Sequence, residues 1–129
     1  MVLLIDDERS IVRIVSMYFE MLGISWEVAE NGAKGLEKVM EGKYSLVLMD
    51  VQMPVMDGLE TARRIREREQ TEKLPRLPII GMTAFAFAGD RQRCIEAGMD
   101  DFIAKPFEPT DLKSKIFSFL GKSDGPSTL

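Results

Sequence analysis

The sequence predicts a doubly wound α/β fold, in which a five-stranded parallel sheet is covered by helices on both faces. Five short apolar segments alternate with segments whose apolar residues recur at helical spacing. The apolar segments show almost no polar alternation, as expected for strands that are buried on both faces. With 129 residues, 45% of them hydrophobic and 29% charged, the chain has the size and composition of one globular domain.

The first half of the chain contains three predicted strands and the first two helices. The predicted strands are Val2–Ile5, Ile24–Ala29 and Tyr44–Met49. The first helix carries apolar residues from Ile11 to Leu22 at helical spacing and ends at Gly23. Asn31 and Gly32 predict a turn before the second helix.

The second half of the chain completes the pattern. Asp57 is the predicted N-cap of the third helix. We interpret one charged face of that helix as solvated surface, and its residues are Arg63, Arg64, Arg66, Glu67 and Arg68. The remaining strands are predicted at Ile79–Met82 and Phe102–Ala104, with a helix over Asp90–Ala97 that Gly98 closes. The last helix is predicted to end at Gly121. We therefore expect a domain over residues 1–121 and a flexible tail or linker stub over 122–129.

The composition excludes several kinds of site. The chain has no histidine and only one cysteine, Cys94, which excludes Ser-His and Cys-His triads, histidine-ligated zinc and an internal disulfide. A net charge of −4 argues against direct binding of nucleic acid. The apolar runs are too short to insert into a membrane, and Met1–Ile5 has no basic flank of a signal peptide. These features favour a cytoplasmic protein.

Polar side chains follow four of the five predicted strands. Asp6 and Asp7 follow the first strand, Asp50 the third, Thr83 the fourth and Lys105 the fifth. The carboxyl ends of parallel strands meet at one edge of the sheet, where α/β proteins bind their ligands. We therefore expect three carboxylates, one hydroxyl and one ammonium group to share a small pocket.

Three carboxylates in one pocket require a compensating charge. Two like charges about 4 Å apart repel by about 4 kcal/mol at an effective dielectric constant near 20. Lys105 offsets one of the negative charges, and a divalent cation would offset two more. A pocket rich in oxygen ligands favours Mg²⁺, with Mn²⁺ as a substitute. Mg²⁺ held by few carboxylates usually binds a phosphate as well.

Four motifs in register resemble the receiver domain of two-component response regulators, over about Val2 to Leu120. They are Asp6-Asp7, the segment from Asp50 to Gly58, the pair Thr83-Ala84, and Lys105-Pro106-Phe107. The segments Met82–Ala84 and Ala97–Asp101 look most like the receivers of hybrid sensor histidine kinases. The resemblance implies a flavodoxin-like (βα)5 fold.

The resemblance implies a role for each residue of the pocket. Asp50 matches the aspartate that accepts a phosphoryl group from a phosphohistidine, and Lys105 matches the lysine that pairs with the phosphoryl oxygens. The implied Mg²⁺ ligands are Asp7 directly, Asp6 through water, Asp50, and the backbone carbonyl of Gln52. In the family the bond between the lysine and the following proline, here Pro106, is typically cis.

The resemblance also implies a conformational switch. Thr83 matches the hydroxyl that moves to bind the phosphoryl group, and Phe102 matches the switch aromatic that moves into the vacated space. The surface of the fourth helix, fifth strand and fifth helix would then change. Gln52 and Phe85 match positions that tune attack by water, and the bulk of Phe85 predicts slow loss of the phosphoryl group.

The implied partners are a histidine kinase or a histidine phosphotransfer domain, and an output domain or protein downstream. A weak or phosphorylation-dependent homodimer through the fourth and fifth helices is also compatible with the family. The domain would be a signalling switch rather than an enzyme, with Mg²⁺-dependent self-phosphorylation from small phosphodonors and weak autodephosphorylation.

Three other functions remain as alternatives. An Mg²⁺-dependent phosphohydrolase with an aspartyl nucleophile would carry Asp-x-Asp after the first strand, where this chain has Asp6-Asp7-Glu8. A nucleotide or flavin module would need a glycine-rich phosphate loop, which the sequence lacks. A docking module with an inactive site is disfavoured because every expected site residue is present.

Overall fold

The computed structural model describes residues 1–53, 56–84, 88–105 and 107–120. Strands and helices alternate strictly along these residues. The strands are β1 (Val2–Ile5), β2 (Trp26–Ala29), β3 (Leu46–Asp50), β4 (Ile79–Thr83) and β5 (Asp101–Ala104). The helices are α1 (Arg9–Met21), α2 (Gly32–Val39), α3 (Gly58–Glu72), α4 (Ala88–Glu96) and α5 (Pro109–Leu120).

All five strands form one parallel sheet in the order β2-β1-β3-β4-β5. The chain runs from β1 outward to β2 and then returns to place β3 on the other side of β1. This reversal opens a crevice at the carboxyl ends of β1 and β3, which is the topological switch point where such sheets bind ligands. The predicted doubly wound fold is confirmed.

The core lies on both faces of the sheet. One face packs against α1 and α5 through Val15, Phe19, Leu112 and Ile116, all of them buried. The other face packs against α2, α3 and α4, with Ile65 among its fully buried side chains. Removing each such large side chain from water contributes about 1.5–3 kcal/mol, so the two half-cores hold the strand ends in place.

The predicted elements are all present, with some shifted ends. β2 begins at Trp26, two residues later than predicted, and Ile24 packs into the core outside the strand. β3 begins at Leu46 because Tyr44 instead directs its hydroxyl to Glu27 Oε1, at 2.7 Å. α4 begins before the predicted Asp90, at Ala88.

Helix caps fix where the helices begin and end. Asp57 caps α3 as predicted, since its carboxylate accepts a hydrogen bond of 2.9 Å from Glu60 N. Asn31 caps α2 in the same way rather than standing in a turn. After α4, Gly98 has a φ of 102°, which positions Met99 N to donate to Cys94 O at 3.0 Å and closes the helix as predicted.

Arg66 is not solvated, in contrast to the prediction for its helix face. Its side chain is only 12% exposed, and its guanidinium donates to the carbonyl oxygens of Gly98 and Leu77, both at 2.8 Å. It also forms ion pairs with Glu69 and Asp100. Arg66 therefore joins α3 to the segments that precede β4 and β5. Arg63, Arg64 and Arg68 form ion pairs with glutamates of their own helix, as a solvated face would.

Within the described part of the chain, none of the helices combines the length and the apolar character that a membrane span requires.

Candidate functional site

The predicted pocket residues lie at the carboxyl edge of the sheet, each positioned by a strand. Asp6 directly follows β1, Asp50 is the last residue of β3, Thr83 is the last residue of β4, and Lys105 directly follows β5. The apolar residues before them are buried, so the backbone that carries the polar side chains is fixed by the core.

Two of these side chains meet around the ammonium group of a third. Lys105 Nζ lies 3.3 Å from Asp6 Oδ2 and 3.3 Å from Asp50 Oδ1. Asp6 is 1% exposed and Asp50 is 4% exposed, so both carboxylates are shielded from water. Side chains alternate between the faces of a strand, and these three residues fall on the face that packs against α1 and α5.

Backbone amides orient the two buried carboxylates. Glu8 N donates to Asp6 Oδ1 at 2.9 Å, and Gln52 N donates to Asp50 Oδ1 at 3.1 Å. Asp6 N itself donates to Ala29 O at 3.1 Å. Each carboxylate therefore accepts a hydrogen bond from the loop that follows its strand, which restricts its rotation.

Asp50 is unusually hard to ionise. Burial and the neighbouring Asp6 carboxylate raise the pKa of Asp50 to about 6, although Lys105 and the Gln52 amide act in the opposite direction. A carboxylate in this situation is destabilised in its charged form. A further cation in the pocket would relieve the repulsion between Asp6 and Asp50.

The geometry of the acidic residues fits a divalent metal ion. Asp6, Asp7 and Asp50 each offer a carboxylate oxygen, and these oxygens lie within 4.8 Å of one another. Asp7 is exposed, so the cluster opens to solvent on one side. Hard oxygen ligands with an open side suit Mg²⁺, which keeps several of its waters. Gln52, whose backbone carbonyl is the fourth predicted ligand, lies two residues beyond Asp50 in the loop after β3.

Thr83 lies beside this cluster but on the other face of the sheet. It is 2% exposed, and its carbonyl oxygen accepts a hydrogen bond of 2.7 Å from Lys105 N. Thr83 also lines a cleft of about 380 Å³ together with Gln52, Asp57 and Arg93. This cleft leads from the end of β3 toward α4.

Phe102, the predicted switch aromatic, is half-buried on the same face as Thr83. In the β4–β5 register, Phe102 pairs with Gly81, and Thr83 pairs with Ala104. Residues two apart on a strand share a face, so Phe102 and Thr83 are diagonal neighbours. The two residues beside them, Gly81 and Ala104, have small side chains or none.

Sequence reasoning missed two contributions to this site. Arg91, on α4, places its guanidinium 5.9 Å from the centre of the Phe102 ring. Gly58 lets the start of α3 approach the end of β3, because an added Cβ would lie 2.8 Å from Val51 Cα and would also collide with Asp50 O. The signal for Gly58 was present in the Asp57-Gly58 pair, whereas a contact between distant residues such as Arg91 and Phe102 leaves no local pattern.

Some predictions fall on Phe85, Pro106 and residues 121–129, which lie outside the described residues. The slow loss of phosphate attributed to Phe85, the cis bond at Pro106 and the flexible tail therefore stay predictions.

Comparison with curated proteins places the chain among signalling proteins. Hybrid signal transduction histidine kinase L of Dictyostelium discoideum is 39% identical over 125 residues, which are 95% of this chain and 7% of that protein. The transcriptional regulatory protein ResD of Bacillus subtilis is 37% identical over 126 residues, which are 98% of this chain and 50% of that protein. The chain thus spans half or less of the length of these relatives.

Solved structures give the same result. The receiver domain of the sensor histidine kinase PA1611 from Pseudomonas aeruginosa, with a magnesium ion in its active site cleft, has a TM-score of 0.83 and 32% identity, covering 94% of this chain and 97% of that one. The receiver domain of Ssk1 from Saccharomyces cerevisiae, crystallised with the histidine phosphotransfer protein Ypd1, has a TM-score of 0.85 and 27% identity. The match covers 92% of this chain and 86% of that one.

The family model described as the response regulator receiver domain matches residues 2–117. The predicted resemblance is therefore confirmed, and hybrid histidine kinases are among the relatives as expected. The chain belongs to the response regulator receiver domain family of two-component signalling.

Proposed function

We propose that this chain is a phosphoacceptor switch, in which Asp50 receives a phosphoryl group from a phosphohistidine in an Mg²⁺-dependent reaction. The observation that carries the proposal is the cluster of Asp6, Asp7 and Asp50 at the switch point of the sheet, in which Lys105 forms ion pairs with Asp6 and Asp50. The domain would extend over residues 1–121, and residues 122–129 would form a tail or linker. A cytoplasmic location remains part of the proposal.

Asp50 is the proposed nucleophile because it ends the central strand β3, at the position that matches the phosphoacceptor aspartate of the family. A carboxylate oxygen of Asp50 attacks phosphorus in line with the P–N bond of the phosphohistidine. The new O–P bond forms as the P–N bond breaks, and the electron pair of that bond stays on the imidazole nitrogen, which takes a proton from water. Burial at 4% exposure limits the access of competing water.

The acidic cluster is proposed to hold Mg²⁺ through Asp6, Asp7, Asp50 and the backbone carbonyl of Gln52. When bound, the ion neutralises charge on the transferring phosphoryl oxygens. Asp6 and Asp7 contribute by presenting oxygens beside Asp50 without themselves accepting the phosphoryl group. The amide of Glu8 keeps Asp6 in this orientation, at 2.9 Å.

Lys105 and Thr83 are proposed to bind the phosphoryl group once it is transferred. Lys105 Nζ already contacts Asp50, at 3.3 Å, and its position after β5 directs a fixed positive charge at the developing negative charge. Thr83 stands at the end of the neighbouring strand and can donate its hydroxyl hydrogen to a phosphoryl oxygen. Both groups favour the phosphorylated carboxyl group over the free one.

The readout is proposed to pass from Thr83 to Phe102. When Thr83 turns toward the phosphoryl group, space opens on the face of the sheet that it shares with Phe102. The small side chain of Ala104, which pairs with Thr83 in the strand register, leaves a path along which the ring can move inward. The surface formed by α4, β5 and α5 would then change, and an output domain, a downstream protein or a second copy of the chain would respond to it.

The phosphoryl donor is proposed to be a histidine kinase or a histidine phosphotransfer domain, as in the complex of the Ssk1 receiver with Ypd1. Such a donor must reach Asp50 from the open side of the pocket, where α1 begins at Arg9 just after Asp7. Along α1, Ile14, Met17 and Met21 are 41%, 56% and 78% exposed. These residues form an exposed apolar stripe on a helix that starts at the rim of the pocket. We propose that a helical surface of the phosphoryl donor binds to this stripe.

The test is intact mass spectrometry after incubation with acetyl phosphate, with Mg²⁺ and with a chelator. We expect one phosphoryl adduct that requires Mg²⁺ and is absent in Asp50→Asn. Asp57→Asn, which replaces an exposed carboxylate near the same pocket and keeps the α3 cap, should still form the adduct. Persistence of the adduct in Asp50→Asn would contradict the assignment of the acceptor. Absence of any adduct in the wild-type chain, from acetyl phosphate and from a phosphorylated histidine phosphotransfer domain, would contradict the proposed function.

A further inference from the structure

A charged residue of α4 lies over the half-buried ring of Phe102. The Arg91 guanidinium lies 5.9 Å from the centre of the Phe102 ring, within the range of a cation–π interaction. The ring is half-buried and its inner side packs against the core under α3 and α4, while Arg91 itself is exposed. Phe102 is thus enclosed by apolar side chains on one side and by a cation on the other.

The strand register shows where a second position of the Phe102 ring could lie. Phe102 lies beside Gly81 and diagonal to Thr83, whose own register partner is Ala104. The space at Gly81 is already filled, since an added Cβ there would lie 2.6 Å from Met99 Sδ. The direction that remains for inward movement is over Ala104 toward Thr83. The contact with Arg91 belongs to the orientation of the ring in this structure.

We propose that Arg91 is a positioning residue that stabilises the outward orientation of Phe102 in the unphosphorylated chain and so sets how readily the switch operates. This inference rests on the proposed function, because it concerns the readout of the same site. Removal of the guanidinium should favour the inward orientation. At an exposed site, a cation–π contact changes such an equilibrium by about two- to fivefold.

The direct test observes the Phe102 ring by fluorine NMR of the chain labelled with 4-fluorophenylalanine. The chain has seven phenylalanines, and the Phe102 signal is assigned as the one missing from Phe102→Leu. In metal-free buffer, Arg91→Gln should move this signal toward its position in the wild-type chain saturated with Mg²⁺ and beryllofluoride, which imitates a phosphoryl group on a carboxylate. Arg91→Lys, which keeps a cation, should restore most of the wild-type position.

The functional test measures beryllofluoride binding in the presence of Mg²⁺ by calorimetry. Arg91→Gln should bind about two- to fivefold more tightly than the wild-type chain, because less of the binding energy is used to move the ring. In a Phe102→Leu background, Arg91→Gln should have no effect on binding. Arg64→Gln removes the same charge from an ion pair on the exposed face of α3 and should bind like the wild type.

The outcomes separate this inference from the proposed function. If the wild-type chain does not bind beryllofluoride and gains no phosphoryl adduct, the proposed function fails. If it binds, but Arg91→Gln leaves both the Phe102 signal and the affinity unchanged, the role of Arg91 is overturned. An equal effect of Arg91→Gln in the Phe102→Leu background would also overturn it, because the arginine would then act on the pocket through its charge alone.

Discussion

At the scale of single residues, the features that suit Asp50 for phosphoryl transfer also make the metal-free protein less stable. Its carboxylate is buried beside Asp6, and one ammonium group, that of Lys105, contacts both. These surroundings favour any event that removes the negative charge of Asp50 or adds a cation. Protonation of Asp50 and metal binding both relieve this repulsion, whereas a phosphoryl group adds negative charge and therefore needs the bound cation.

We therefore predict that Asp50→Asn stabilises the metal-free protein above pH 6. The pKa of Asp50 is about 6 in the folded chain, against 3.8 for the ordinary carboxyl group. Because the folded pKa is raised, the folded state binds the proton more tightly, and ionisation costs stability above pH 6. Ionisation of Asp50 therefore lowers the free energy of unfolding by at most about 3 kcal/mol. This loss is complete above the pKa of the folded state and disappears as the pH falls below the pKa of the unfolded state.

Urea unfolding at several pH values in a chelating buffer measures this difference. The amide oxygen of the introduced asparagine can still accept from the Gln52 backbone amide, so the substitution removes the charge and keeps the shape. Asp57→Asn changes an exposed helix cap and is the control. Its free energy of unfolding, relative to the wild type, should not increase between pH 4 and pH 6. A stability difference between Asp50→Asn and the wild type that does not change with pH would contradict the prediction.

At the scale of secondary structure elements, α3 depends on a glycine at its first residue. A Cβ added at Gly58 would lie 2.8 Å from the Cα atom of Val51 and would also collide with the backbone of Asp50. A Cβ added at Gly89, on α4, would have no other atom within 4 Å. We predict that Gly58→Ala destabilises the fold by about 2 kcal/mol or more and slows phosphorylation of Asp50, since the backbone at the end of β3 must shift. Gly89→Ala should stabilise it by about 0.5 kcal/mol. Chemical denaturation and the acetyl phosphate assay test the pair, and equal effects at both glycines would contradict the argument.

The position of α3 relative to β4 and β5 depends on Arg66. Replacing it by alanine leaves Glu69 and the Gly98 and Leu77 carbonyl oxygens with fewer partners in a partly dry environment. We predict a loss of about 2–4 kcal/mol for Arg66→Ala. Arg64→Ala, which breaks an exposed pair with Glu60, should cost less than about 1 kcal/mol. Equal losses in urea unfolding would mean that Arg66 contributes no more than a surface charge.

Arg66 also shows what could and could not be read from the sequence. Apolar strands, helix caps and the polar residues at strand ends are local patterns, so the fold and the membership of the pocket followed from them. Arg66 lies among charged residues on α3, and its partners Gly98 and Asp100 are more than thirty residues away along the chain. The contact of Arg91 with Phe102 and the late start of β2 likewise depend on tertiary packing, which outweighs local propensity.

At the scale of the whole molecule, the acidic cluster and the proposed readout residues lie on opposite faces of one sheet. Asp6, Asp50 and Lys105 fall on the face covered by α1 and α5, whereas Thr83 and Phe102 fall on the face covered by α2, α3 and α4. A change at Asp50 can therefore reach the second face only around the carboxyl ends of the strands. Thr83, at the end of β4, occupies that route, and its backbone is hydrogen-bonded to Lys105.

Metal binding should consequently stabilise the entire fold and not only the pocket, because the proposed ligands stand at the ends of the adjacent strands β1 and β3. We predict that Mg²⁺ at a hundredfold excess over its Kd stabilises the chain by about 2.7 kcal/mol, which raises Tm by roughly 10 °C for a domain of this size. Asp7→Asn should lose most of this gain while leaving the metal-free Tm nearly unchanged, since Asp7 is exposed.

Glu8→Gln is the matched control for Asp7→Asn, because it removes an exposed charge next to the cluster without removing a proposed ligand. Thermal unfolding is compared in Mg²⁺ and in NaCl of the same ionic strength. Glu8→Gln should respond to Mg²⁺ as the wild type does. If Asp7→Asn gained as much as the wild type, or if NaCl reproduced the gain, the stabilisation would come from screening of the acidic edge and not from a metal held by Asp6, Asp7 and Asp50.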